Sequence, residues 1–146
     1  MTLDQLPCRL TIPSDLRLLG VARAFVEAVC LAGGLDRTAT NAIVLAADEA
    51  TNNAIRHAHH NNPAAQVQIE CYLRPDGIEI HLIDEGEPFN LDAVPDLDPA
   101  ELRVGGRGIY LMRTLMDEVT CRPHGERGNI LRMIKRCPRT PPAASS

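Results

Sequence analysis

A regular apolar stripe over residues 36–60 predicts one long helix around which the rest of the chain can be arranged. Its members recur at steps of three and four residues, which places them on a single helical face: Ala39, Ile43, Ala46, Ala50 and Ala54. Asp36 stands where a helix N-cap is expected, and the Asn61-Asn62-Pro63 run ends the helix after about His59. The stripe therefore indicates a helix that buries one face against a core.

Two polar residues, Glu49 and Asn53, lie one turn apart at the edge of this stripe. At about 100° per residue they stack on each other beside the apolar face rather than opposite it. The carboxamide oxygen can ligate Mg²⁺ there, and the carboxylate can order or deprotonate an attacking group. A solvated helix edge is the alternative interpretation of such a pair.

The composition is that of one globular domain. The chain has 146 residues, 45% of them apolar and none of them Trp, so the core has to be built from aliphatic residues and Met. A net charge of −4 without a basic block argues against direct contact with nucleic acid. No apolar run approaches the roughly 18 residues of a membrane span, and no signal pattern opens the chain, so we expect a cytoplasmic location without membrane contact.

The cysteines are odd in number and form no CxxC pair: Cys8, Cys30, Cys71, Cys121 and Cys137. We expect them to be reduced and mostly buried. A zinc site that combines them with His57, His59 and His60 is a further candidate, but the ligand spacing does not match the common zinc sites.

Periodic segments on both sides of the long helix predict the order β-α-α-β-β-loop-α-β-β. Alternating apolar residues mark strands over 8–12, 66–73, 78–84, 120–122 and 129–135. Two more helices have apolar stripes, the first with Ser14 as N-cap and the last containing Ile109 and Met112. Because hairpins link most strands, we expect a mostly antiparallel mixed sheet with three helices on one face, a two-layer α/β (α+β) sandwich.

We expect a single domain over residues 1–137, followed by a flexible tail over 138–146, which is rich in Pro, Ala and Ser. Inside the domain, residues from about 85 to 105 follow no period and contain three prolines and several acidic residues. Loops of this length are usually functional lids or disordered, and a plain acidic surface loop is the alternative.

Asp84 and Gly86 follow directly on a predicted strand. A buried carboxylate at a strand end can accept a hydrogen bond from an amino group on a planar base, and a glycine lets the backbone approach that base. The Asp-x-Gly sequence is also a very common turn, so the pair by itself leaves both interpretations open.

A second glycine-rich segment opens the last helix and comprises Gly105, Gly106, Arg107 and Gly108, followed by Ile109. Free backbone N–H groups at a helix N-terminus attract phosphate, and Arg107 or Arg103 could add a charge-assisted contact. A flexible hinge is the alternative explanation.

In this order and spacing, the three segments resemble the N, G1 and G2 boxes of the GHKL (Bergerat) ATP-binding fold. Within that fold they look most like the anti-sigma-factor serine kinases that act on STAS-domain antagonists. The resemblance extends from about Pro7 to Arg136, and it implies the same sandwich architecture. It also implies a homodimer that switches between a STAS-domain antagonist and a sigma factor or other output protein.

The resemblance implies a role for each matching residue in binding ATP or ADP with Mg²⁺. Glu49 would be the catalytic carboxylate and Asn53 the Mg²⁺ ligand, while Asp84 would bind the adenine amino group. Gly86 would approach the base and His57 would line the pocket. The phosphates would contact the G2 segment, which comprises Gly105, Gly106, Arg107, Gly108 and Ile109. The implied activity is transfer of the γ-phosphate to a Ser or Thr of the antagonist.

Some positions depart from the family pattern. Pro88 stands where many GHKL sequences carry a second glycine, and Asn129 stands where many relatives have a Thr near the adenine. The alternative function is a non-catalytic, nucleotide-dependent adaptor of the same fold. The catalytic domain of a histidine kinase is a third candidate, but no preceding dimerisation helix with a phospho-acceptor His is found in the sequence.

Overall fold

The predicted order of helices and strands is present in a computed structural model of the chain, which describes residues 6–88, 90–91 and 106–140. The helices are α1 (Leu19–Ala32), α2 (Arg37–Asn53) and α3 (Gly106–Leu115). The strands are β1 (Cys8–Pro13), β2 (Gln66–Arg74), β3 (Gly77–Asp84), β4 (Glu118–Pro123) and β5 (Asn129–Arg136). A short 3₁₀ turn, Leu16–Leu18, precedes α1, and a π turn, Ala54–Ala58, continues α2.

The five strands form one sheet in the order β1-β2-β3-β5-β4, and all four neighbouring pairs are antiparallel. The expected mixed sheet is therefore wrong in this detail for the described strands. The reason is the position of β5. The connection through α3 brings β4 back in the same direction as β3, but β5 lies between the two and separates them.

The helices cover one face of the sheet, as predicted. All five residues of the α2 stripe are at most 8% exposed, and they share a core with Ile69, Ile80, Leu82 and Met133 of the central strands. A stripe made mostly of alanines has short side chains, so α2 can lie close to the sheet. The fold is thus the two-layer α/β sandwich that the sequence predicts.

The start of α1 differs from the prediction. The Asp15 side chain, not Ser14, accepts a hydrogen bond from the Arg17 N–H and so caps the 3₁₀ turn, and α1 begins only at Leu19. Ser14 is fully buried, its N–H donates to the Ala65 carbonyl, and its hydroxyl contacts His59. The hydroxyl is therefore engaged in the interior and does not cap the helix.

Part of the expected tail is attached to the domain. The Arg139 guanidinium donates to the Gly33 and Arg74 carbonyls at 2.7 and 2.6 Å, and Thr140 N–H donates to the Gly34 carbonyl. The last carbonyls of a helix lack partners within the helix, and Arg139 supplies one at the end of α1. The prediction of a flexible tail is therefore wrong for residues 138–140, and residues 141–146 lie outside the described part of the chain.

The other face of the sheet carries a polar network around Glu79, which is 8% exposed. Its carboxylate lies 2.6 Å from His81 Nε2 and 3.0 Å from Arg132 Nη2. Burial raises the pKa of the Glu79 carboxyl, but the hydrogen bonds from Arg132 and His81 outweigh burial and hold the pKa below its ordinary value. The charge of this buried carboxylate is thus balanced by its neighbours.

The five cysteines are all described and unpaired. Burial raises the pKa of the Cys30 thiol to about 12 and that of Cys121 to about 11, so both are protonated at neutral pH. Within the described ranges, no group of three or more His, Cys, Asp or Glu side chains is arranged to hold a metal ion. No helix in those ranges is long and apolar enough to cross a membrane.

Candidate functional site

A cavity of about 470 Å³ lies between α2, α3 and the helix-covered face of the sheet. This volume is in the range of pockets that bind small molecules. Its floor is apolar and includes Ala50, Leu82, Met112 and Leu131. Its polar lining includes Asn53, His57 and Asp84, which are predicted site residues, and Asn129, which stands where many relatives have a Thr.

The N-terminus of α3 packs against the polar edge of α2 at Gly108. A Cβ atom at this position would lie 2.9 Å from Glu49 Oε2 and 3.1 Å from Asn53 Nδ2. The glycine therefore brings the start of α3 into contact with both predicted residues of α2. Ile109, which is 5% exposed, lines the cavity beside Asn53, whereas Glu49 lies outside the cavity lining.

Asp84 is 7% exposed and occupies the end of β3, opposite Asn129 of β5. Its Oδ1 atom accepts the Gly86 N–H at 2.9 Å and the Asn129 side-chain amide at 3.0 Å. Among the described residues nothing donates to Oδ2, so this oxygen can accept a hydrogen bond from a ligand in the cavity. Asn129 also donates to the Glu87 carbonyl at 2.8 Å, which ties the following turn to β5.

Gly86 is placed differently from the expectation that it approaches the base. A Cβ atom on Gly86 would lie 2.4 Å from both the carbonyl oxygen and the Cβ of Ala58, and Gly86 does not line the cavity. A glycine is therefore needed here because the turn after β3 packs closely on Ala58, the last residue of the π turn. Contact between Gly86 and a nucleotide stays a prediction.

The α2 segment widens into the π turn over Ala54–Ala58, directly after Asn53. π turns within helices are rare and are often found at functional sites. Here the turn places His57 at the cavity and Ala58 against Gly86. The sequence did not predict it, because five residues are too few to reveal a change of helical period.

His59, which the sequence offered only as a candidate zinc ligand, contacts the turn that follows Asp84. It is buried, whereas His57 and His60 are exposed. Its Nδ1 lies 2.9 Å from the Ser14 hydroxyl, and its Nε2 accepts the Glu85 N–H at 2.9 Å. Three histidines near a helix end give no sequence signal that tells which one turns inward.

Part of the predicted phosphate segment lies outside the described residues, namely Gly105 together with Arg103. Gly106 and Arg107 are the first residues of α3, and the side chain of Arg107 is not described. Of the predicted lid, only residues 85–88 and 90–91 are described. There Leu91 lines the cavity and its carbonyl accepts a hydrogen bond from Arg113 Nη2 at 2.9 Å.

Comparison with known proteins identifies relatives of the whole domain. Residues 12–135 match the family model of the histidine kinase-like ATPase domain. The serine-protein kinase RsbW of Oceanobacillus iheyensis is 31% identical over 116 residues, which cover 74% of this chain and 73% of that protein. The serine-protein kinase RsbW of Bacillus subtilis is 31% identical over 121 residues, which cover 77% of this chain and 76% of that protein.

Solved structures show the same fold. The structure of the RsbU and RsbW domains of a Mycobacterium tuberculosis protein superimposes with a TM-score of 0.65 at 18% identity. The match covers 92% of this chain but only 34% of that longer chain. The histidine kinase domain of a blue-light-activated kinase from Erythrobacter litoralis gives a TM-score of 0.52 at 20% identity, over 84% of this chain and 64% of that one.

The sequence relatives and the solved structures agree on the fold family of the chain. The family model spans most of the chain, and the RsbW proteins align with about three quarters of it. The chain therefore belongs to the histidine kinase-like ATPase family, within the branch of the RsbW serine-protein kinases.

Proposed function

We propose that the chain is an ATP-dependent protein serine/threonine kinase that binds ATP or ADP with Mg²⁺ in the cavity between α2, α3 and the sheet. The observation that carries the proposal is that Asn53 and Asp84 line this one cavity, while Gly108 packs against Asn53. These residues come from three separate segments, and each suits a different part of a nucleotide.

At the base end, the buried Asp84 carboxylate offers Oδ2 as a hydrogen-bond acceptor. The exocyclic amino group of adenine is a donor, whereas guanine carries a carbonyl oxygen at the same position. A carboxylate in this place therefore favours adenine over guanine. The apolar floor suits the faces of a planar base, which supports the assignment of the cavity to the base and not to the phosphates.

At the phosphate end, the start of α3 lies beside Glu49 and Asn53. The Asn53 carboxamide oxygen would hold Mg²⁺, which when bound offsets the charge of the phosphates. Backbone N–H groups at the start of α3 would bind phosphate oxygens, with Arg107 as a further candidate. Glu49 would accept the proton of the attacking hydroxyl or orient it.

The proposed acceptor is a Ser or Thr on a STAS-domain antagonist, and the proposed second partner is a sigma factor or another output protein. A homodimer and a cytoplasmic location belong to the same proposal. They are supported by kinship with RsbW serine-protein kinases. A non-catalytic, nucleotide-dependent adaptor is the second candidate, and the position of Glu49 outside the cavity lining favours it.

Nucleotide binding is tested by thermal unfolding with ADP or ATP, each with and without Mg²⁺. Binding to the folded state raises the unfolding midpoint by mass action. We expect a Mg²⁺-dependent rise with the wild type that is lost in Asn53→Ala. The absence of any rise at saturating nucleotide would refute the nucleotide site.

Phosphoryl transfer is tested with labelled ATP, Mg²⁺ and the STAS-domain proteins of the source organism. We expect a phosphoprotein with the wild type and at least about a hundredfold slower transfer with Glu49→Gln, the range by which general bases accelerate reactions. Asp48→Asn is the matched control, because the Asp48 carboxylate pairs with Arg23 instead of facing α3. Equal transfer by Glu49→Gln and Asp48→Asn would refute the catalytic role of Glu49, whereas nucleotide-dependent partner binding by the wild type without any transfer would favour the adaptor.

A further inference from the structure

The turn that carries Asp84 is attached to the end of the α2 segment by a buried histidine to which the proposed nucleotide chemistry gives no role. His59 follows the π turn and is 6% exposed. Its two ring nitrogens contact two other segments. Nδ1 lies 2.9 Å from Ser14 Oγ, after β1, and Nε2 lies 2.9 Å from the Glu85 amide nitrogen, after β3.

The chemistry of these contacts fixes the state of the ring. A backbone N–H can only donate, so Nε2 has to be the acceptor and carries no proton. The proton of the neutral imidazole is therefore on Nδ1 and is donated to the Ser14 hydroxyl. Ser14 is itself fully buried, and its own N–H donates to the Ala65 carbonyl. The His59 ring thus has a single orientation in which both nitrogens are satisfied.

The anchored amide is adjacent to the base acceptor. Glu85 directly follows Asp84, and the next N–H, that of Gly86, donates to Asp84 Oδ1. Gly86 in turn packs tightly on Ala58, the residue before His59. The turn over residues 84–86 is therefore attached to the α2 segment at two adjacent points, by the Glu85 hydrogen bond and by the Gly86 contact.

We propose that His59 is a positioning residue for base recognition, which holds the Asp84 carboxylate at a set distance from Asn53. The base end of the cavity is then aligned with its phosphate end, so that a single nucleotide contacts both. This inference rests on the proposed function, because it takes ADP as the ligand and Asp84 as the acceptor of the adenine amino group.

Two substitutions of His59 separate its two hydrogen bonds. In His59→Asn the amide nitrogen lies near the former Nδ1 and can still donate to Ser14, but no atom reaches the Glu85 N–H. In His59→Gln the amide oxygen lies near the former Nε2 and can accept the Glu85 N–H. His60→Asn is the matched control, since His60 is the adjacent exposed histidine, and its φ of 50° is one that Asn adopts readily.

The probes are ADP with Mg²⁺ and tripolyphosphate with Mg²⁺, of which the second has phosphates but no base. Affinities are measured by isothermal titration calorimetry. We expect His59→Asn to weaken ADP binding about tenfold or more, as loss of a buried hydrogen bond implies, and to leave tripolyphosphate binding within about twofold. His59→Gln should restore most of the ADP affinity, and His60→Asn should bind both probes like the wild type.

Two results would overturn this inference and leave the proposed function intact. One is ADP binding by His59→Asn with wild-type affinity. The other is an equal loss of ADP and tripolyphosphate affinity, because that would show general damage to the site and not misplacement of Asp84. Failure of the wild type to bind either probe would instead overturn the proposed function and the inference together.

Discussion

Gly108 is a residue whose missing side chain matters for the candidate site. The position of its absent Cβ lies about 3 Å from both Glu49 and Asn53, which are the residues we assign to the acceptor hydroxyl and to Mg²⁺. A methyl group at this position would displace the ends of the Glu49 and Asn53 side chains. The proposed metal ligand would then no longer be aligned with the N–H groups to which we assign phosphate binding.

We expect Gly108→Ala to weaken binding of ADP with Mg²⁺ without lowering stability. The methyl group would displace Glu49 and Asn53, while alanine in a helix is favoured over glycine by up to about 1 kcal/mol. Titration calorimetry and chemical denaturation measure the two effects separately. Gly20→Ala in α1 is the control, because its Cβ would meet only Arg23 at 3.7 Å. Unchanged ADP affinity in Gly108→Ala would contradict the proposed contact.

At the scale of single residues, local spacing predicted part of the candidate site and missed part of it. Glu49 and Asn53 were found because residues four apart share a helical face, and Asp84 because it ends a strand. The contacts of His59 were not predicted, because its partners Ser14 and Glu85 are 45 and 26 residues away in the chain. Contacts of that kind leave no periodic pattern in a sequence.

At the scale of elements, segments with a long periodic pattern were predicted more accurately than single turns. The α2 stripe extends over several turns, so its face and its N-cap were predicted correctly. The π turn and the start of α1 each comprise a single turn. Both contain residues that contact distant parts of the chain, and such contacts leave no local pattern. Arg139 stands in a proline-rich run that reads as a tail, and only the folded chain brings it to the end of α1.

We expect Arg139→Ala to reduce the free energy of unfolding by about 1–3 kcal/mol, because it leaves the Gly33 carbonyl at the end of α1 and the Arg74 carbonyl at the end of β2 without this donor. Urea denaturation measures the change. Arg139→Lys is the matched variant and should recover only part of the loss, since one ammonium group cannot reproduce the fork that reaches both Gly33 and Arg74. An unchanged midpoint in Arg139→Ala would show that residues 138–140 do not stabilise the domain.

At the scale of the whole molecule, the two faces of the sheet have different chemistry. The helix-covered face supplies the apolar core and the cavity, whereas the other face carries the charge network of Glu79, His81 and Arg132. The strand alternation that separates the faces was predictable from sequence. The burial of Glu79 was not, because it depends on side chains from the neighbouring strand.

The Glu79 network makes stability depend on pH in a defined direction. The pKa of its carboxyl is lowered in the folded state, so its contribution is fully present above the ordinary value of 4.5 and is lost as the pH falls through the folded value. We expect Glu79→Gln to be less stable than the wild type at pH 7 by about 1–3 kcal/mol, with the difference shrinking below pH 4.5. Denaturation at several pH values measures this.

Glu118→Gln is the control for this experiment. Glu118 pairs with Arg136 at an exposed position, where an ion pair contributes little to stability. If the free energies of unfolding of Glu79→Gln and the wild type differ by the same amount at low pH, the lower stability of the variant comes from side-chain shape and not from charge.

The place of β5 in the sheet has a consequence for the newly made chain. This strand comes after all the others in the sequence, yet it lies between β3 and β4 and supplies Asn129 to the Asp84 carboxylate. While the ribosome is still synthesising residues 129–136, β3 has an unpaired edge and the proposed base acceptor lacks one of its two donors. The proposed base end of the site is therefore complete only when β5 has left the ribosome and been inserted between β3 and β4.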